Sequence, residues 1–123
     1  MTIVQAVEQI DQLVHNTYTQ EQKVRWLSDL DAMVKEQVID THEGAEEVIF
    51  TGYDENTPMD TVLLIPAPYE EAYLHFLEGK ICYYNGEQGK YNQAMQQHRA
   101  VFSAYVNRYN ATHMPKGQQY RYF

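Results

Sequence analysis

The chain is short of several things that would announce a function. It has a single cysteine, Cys82, so no disulfide can form within it. A lone thiol inside a helical apolar pattern reads as a small buried hydrophobe rather than a nucleophile. No apolar run comes near the roughly 18 residues that cross a bilayer. The start, Met1-Thr2-Ile3-Val4-Gln5, lacks a basic region followed by an apolar core. These absences lead to the expectation of a soluble protein made in a reducing cytoplasm, with no membrane partner. Cations are scarce as well: up to Asp60 only Lys23, Arg25 and Lys35 stand against thirteen carboxylates. So few positive charges leave little to hold phosphates, and recognition of a nucleic-acid sequence is not expected.

What is present is a chain of 123 residues with net charge −8 and eleven tyrosines among its aromatics. That length fits one domain with one core. Tyrosine buries a large ring while its hydroxyl seeks a partner or water, which suits a small core or a surface that meets other proteins. The charge is uneven. From Thr61 onward four carboxylates face Lys80, Lys90, Arg99, Arg108, Lys116 and Arg121, so an acidic first half is followed by a slightly basic second half. Two readings stand: an acidic surface that keeps the chain dispersed, or opposed halves that favour head-to-tail contact between copies.

Thr2 and Gln5 fit a capping box ahead of a helix over about 3–15, with Ile3, Val7, Ile10 and Val14 at helical spacing. Thr19 and Gln22 fit a second box ahead of a helix over about 20–39, striped by Val24, Leu27, Leu30, Val34 and Val38. From Asp40 to Asp60 the periodicity fails. Val48-Ile49-Phe50-Thr51 and Thr61-Val62-Leu63-Leu64-Ile65 have strand composition, and the intervening turn formers predict a short β-hairpin or an extended loop. Such edges either pair with a neighbouring subunit or pack on their own domain.

Pro66 and Pro68 hold the backbone extended and are expected to open a third helix, with Glu70 and Glu71 in its first turn. Tyr73, Phe76, Leu77 and Ile81 are its apolar residues, and Gly79 in mid-helix predicts close approach of another backbone. Asn85-Gly86 is a C-cap. A fourth helix then carries Tyr91, Ala94, Met95, His98, Val101, Phe102, Tyr105 and Tyr109 on one face, and Asn92, Gln93, Gln96, Gln97, Ser103 and Asn107 on the other. An amide face so poor in charge is a candidate subunit contact. After Asn110 the pattern ends, and Tyr120, Arg121, Tyr122 and Phe123 are either binding anchors or a frayed end. The expectation is a mainly α protein: a small bundle of about four helices in one domain. Its parts are N-terminal helices (1–39), a loop or hairpin (40–65), a helical hairpin (66–109) and an extended tail (110–123).

Catalytic chemistry finds no footing. His42-Glu43 with Glu46 and Glu47 lacks the second histidine of a zinc-protease helix. Glu71, His75 and Glu78 share a helix face and read as solvated residues. Gly86-Glu87-Gln88-Gly89-Lys90 misses both the glycine spacing and the hydroxyl of a phosphate loop. His98 reads as a hydrogen-bonded core histidine. No catalytic, cofactor or metal residue is assigned, and enzyme activity is not expected.

Thr61-Val-Leu-Leu-Ile-Pro66-Ala-Pro68-Tyr69, followed by Tyr73, Asn85-Gly86-Glu87, Tyr91-Asn92, Phe102 and Tyr105, resembles the head–tail connector, or head-completion adaptor, family of tailed phages and prophages of Gram-positive bacteria. The resemblance is sharpest over Pro66 to Tyr109. It implies a virion structural protein, made in the host cytoplasm, that assembles as a ring beneath the portal and joins the DNA-filled head to the tail. Its partners would be the portal protein, tail-completion components and further copies of itself, with DNA passing through and no cofactor. The expected interface residues are Val48, Ile49, Phe50, Val62, Leu63, Leu64, Tyr120, Tyr122 and Phe123. The alternative is a cytoplasmic helical adaptor or regulatory module with no virion role.

Overall fold

Thr2 closes a full capping box: its side chain accepts from the Gln5 amide at 3.3 Å, and the Gln5 side chain accepts from the Thr2 amide at 2.9 Å. Two otherwise orphaned donors are thereby satisfied and α1 runs from Ile3 to Leu13. Asn16 then turns the chain, with its amide donating to the Val14 carbonyl at 2.8 Å and its oxygen accepting from the Tyr18 amide at 3.2 Å. Thr19 caps α2, which spans Gln20–Gln37, by accepting from the Gln22 amide at 3.1 Å, but the Gln22 side chain does not return the bond, so the second box is only half formed. Short 3-10 turns follow at Ile39–Thr41 and Ala45–Glu47. The remaining helices are α3, Glu71–Tyr84, and α4, Gln88–Thr112. The computed structural model describes residues 1–116.

The architecture is a mainly helical bundle built on α3. Ile3, Ile10, Leu27, Leu30, Val34, Ile65, Tyr73, Leu77 and Ile81 are buried in one core. α1 and α2 pack on one flank of α3, and α4 makes its helix contacts with α3 alone. Asn85 and Gly86 end α3 as expected. Gly86 adopts φ +77°, its amide donates to the Tyr83 carbonyl at 3.2 Å, and the Glu87 amide reaches back to the Cys82 carbonyl at 2.9 Å. That pair of bonds satisfies two terminal carbonyls in a Schellman closure.

Cys82 and His98 are buried as expected, His98 with a ring nitrogen 2.9 Å from the Ala72 carbonyl. No helix of the described residues is long and apolar enough to cross a membrane.

Three expectations are corrected. The prolines do not open α3: the Tyr69 amide donates to the Pro66 carbonyl at 2.9 Å in a turn, and the helix begins only at Glu71, with Glu70 as its N-cap. Gly79 admits a side chain rather than a backbone, because a Cβ there would lie 2.6 Å from Met95 Sδ of α4. Finally, of the two forms expected for residues 40–65 the β-hairpin does not arise: the segment is a loop interrupted by the 3-10 turns. Thr61–Ile65 does not pair with Val48–Thr51; it lies antiparallel to the N-terminus. The Ile3 amide donates to the Thr61 carbonyl at 3.0 Å, and the Leu63 amide donates to the Met1 carbonyl at 2.9 Å. This pairing brings α1 and Leu63 together onto the core, which a local hairpin would not do.

Candidate interaction surface

The surface that the sequence marks as adhesive is held by one buried carboxylate. Asp31 lies on α2 within the stripe formed by Leu27, Leu30 and Val34, and it is fully enclosed. Its Oδ1 accepts from the Tyr73 hydroxyl at 2.6 Å. Its Oδ2 accepts from the Tyr53 hydroxyl at 2.5 Å and from the Leu64 amide at 3.1 Å. The Tyr73 hydroxyl in turn accepts from the Ile65 amide at 2.7 Å. Burial pushes the Asp31 carboxyl above its ordinary range, although the Tyr53, Tyr73 and Leu64 donors pull the other way. The same burial, with the carboxylate beside them, raises both phenols far above their usual value. Among the described residues no cation pairs with Asp31, so three hydrogen bonds offset the cost of burial.

This node fixes two extended segments at once. Tyr53 is tied to α2 by Asp31 and by its own amide, which donates to Ser28 Oγ at 3.0 Å. Leu64 and Ile65 are tied to α2 and α3 through Asp31 and Tyr73. Between them lies a groove of about 330 Å³, lined by Ile49, Phe50, Gly52, Thr61, Val62 and Leu64 among others. Ile49 is 83% exposed and Val62 66% exposed. Among the described residues, neither the amides nor the carbonyls of Ile49–Gly52 and Val62 find a partner. An extended segment with a free ladder edge and outward apolar side chains is the form that accepts a strand from another chain.

The expected interface residues divide accordingly. Ile49 and Val62 are exposed, whereas Val48, Phe50 and Leu64 are half-buried along the same groove or the core beneath it. Leu63 is corrected: it is only 3% exposed, because side chains alternate along an extended chain and Leu63 and Ile65 both turn inward. Tyr120, Tyr122 and Phe123 lie outside the described residues.

Two neighbouring features complete the surface. Asp54 closes a tight loop, accepting from the Asn56 amide at 2.8 Å, while the Asp54 amide donates to Thr57 Oγ1 at 2.9 Å. A cleft of about 430 Å³ separates that loop from the first half of α2, with Glu21, Arg25, Asp54 and Glu55 at its walls. On the far side a groove of about 520 Å³ runs between Pro66–Tyr69 and the end of α4 at Tyr105, Tyr109 and His113.

The remaining candidates fall into structural places. The ring nitrogens of His42 lie 2.6 Å from the Val38 carbonyl and 2.8 Å from Asn110 Oδ1, clamping the end of α2 to α4. Glu43, Glu46 and Glu47 are exposed near it. No group of three or more ligating side chains among the described residues could hold a metal. Glu71, His75 and Glu78 border a shallow groove against Ile10 and Leu13. Lys90 pairs with Glu87 at 3.1 Å at the start of α4, where a phosphate loop would need a free lysine.

Sequence reasoning missed the Asp31 node. The available signal was its position, four residues after Leu27 and three before Val34, on the face that α2 buries. Comparison with protein-family models, with curated proteins and with solved structures finds no match.

Proposed function

We propose that this protein is a head–tail connector of the tailed-phage type, an adaptor that assembles as a ring beneath the portal and joins the filled head to the tail. The observation that carries this reading is the open edge formed by Ile49–Gly52 and Val62, held against a helical core by the Asp31 node. A surface of that kind serves assembly: backbone pairing supplies affinity, and the exposed Ile49 and Val62 side chains supply register. The sequence resemblance over Pro66 to Tyr109 supplies the class of assembly. The excess of carboxylates suits a passage for DNA, since phosphates would find few cations to hold them. The portal protein, tail-completion components and further copies of the chain are the partners in this reading.

Deleting the gene from its phage or prophage tests it. The expected product is DNA-filled heads without tails, restored by supplying the protein in trans. Heads that join tails normally in its absence would overturn the role.

A further inference from the structure

We infer that the outer face of α4 docks on the outer face of α2 in a second copy of this chain, giving a head-to-tail contact. α4 is 25 residues long and contains no Asp or Glu, in a chain that holds seventeen carboxylates. Opposite its buried Ala94, His98 and Tyr105 it exposes Asn92, Gln96, Ala100, Ser103, Ala104 and Asn107, none of them charged. Arg99 and Arg108 stand exposed on the two margins of that face, and neither makes an ion pair within the described residues. A face meant only for solvent would normally be lined with charge; this one is neutral, narrow in side-chain bulk and edged with guanidinium groups.

The complement lies on α2. Opposite its buried Leu27 and Val34, α2 exposes Glu21, Asp29 and Glu36 around Ala32 and Met33, with Arg25 as the one cation of that face. Lys35 is engaged by Asp40 and the Ala45 carbonyl. Three carboxylates against the single Arg25 give the exposed face of α2 the opposite sign to the guanidinium-edged face of α4, and Arg favours bidentate pairing with carboxylates.

Within one molecule the two faces do not meet: α2 and α4 each pack on α3 and make no helix contact with each other. Two α4 faces would bring arginine against arginine. The complementary contact therefore joins unlike faces, and where it is not returned between the same two copies it is heterologous and repeats into a ring or a filament. It supplies a contact for the ring proposed above, but rests on the charges of two faces and not on the virion role.

Sedimentation velocity on the purified chain tests it. The expected result is self-association at concentrations up to about 1 mM that weakens as salt screens the paired charges. Arg99→Glu/Arg108→Glu and Asp29→Lys/Glu36→Lys should each stay monomeric, because each makes its two faces alike in sign. Mixing the two variants should restore association, because each then meets an opposite face.

If a reversal disturbs folding by circular dichroism, the neutral pair Arg99→Gln/Arg108→Gln replaces it and should weaken association by about tenfold. A wild-type chain that remains monomeric throughout, or either reversal alone associating as wild type does, overturns the contact. Head–tail joining after gene deletion is a separate readout: it can fail while the contact stands, and the reverse.

Discussion

Asp31 and His98 are both buried and both titrate against the fold, in opposite directions. Burial raises the Asp31 carboxyl above the ordinary value of about 3.9, so the folded state binds the proton more tightly than the unfolded chain does. Its contribution is complete below that value and is lost as pH rises through the raised one. Asp31→Asn should remove this downward slope, which urea unfolding of the two proteins across pH 4–7 would show. It should also cost about 1–3 kcal/mol, since one of the two oxygens that accept from Tyr53, Tyr73 and the Leu64 amide becomes an NH2 group facing a donor.

His98 behaves the other way. Burial lowers its imidazole despite the Ala72 carbonyl beside it, so its contribution is present above about 6.5 and falls as pH drops below that value. His98→Gln should flatten the acid side of the stability profile. The burial of His98 was legible from its place on an apolar stripe. The role of Asp31 was not, because its partners come from residues 53, 64 and 73 and leave no local trace.

At the scale of elements, what local chemistry decides was readable and what distant contacts decide was not. The Thr2–Gln5 box, the Thr19 cap and the Asn85-Gly86 closure each involve residues within six positions of one another, and all three form. Thr19→Ala should lower stability by about 1 kcal/mol, read as a shift in urea midpoint without a change in slope. Strand-like Thr61–Ile65 was recognisable, but its partner was not, since Met1–Ile3 lies some sixty residues away and carries a helix start rather than a strand pattern. Gly79 was recognisable as a site of close approach, but only the packed structure shows Met95 as the neighbour. Gly79→Leu should lose about 1–3 kcal/mol through overpacking, and less when Met95→Ala has already cleared the space. A double-mutant cycle by denaturant unfolding measures that difference.

For the whole molecule, the proposed role requires that assembly contacts be separable from stability. Ile49→Asp and Val62→Asp alter exposed side chains that contribute little to the core, so the melting temperature should change little while ring formation on the portal is lost. Removing Tyr120 to Phe123 should likewise leave the melting temperature in place and weaken docking. Calorimetry paired with portal co-sedimentation checks both, and a truncation that unfolds the domain would show the tail to be part of the core.

The pairing of Met1–Val4 with Met59–Leu63 also bears on how the chain reaches its fold. α3 and α4 are neighbours in sequence and can zip together through short loops, whereas the N-terminal segment must close a loop of about sixty residues before its amides are satisfied. Docking of α1 therefore belongs to the late side of the folding barrier. Substitutions such as Ile3→Val should speed unfolding and leave the folding rate nearly unchanged, while Leu77→Ala in α3 should slow folding itself.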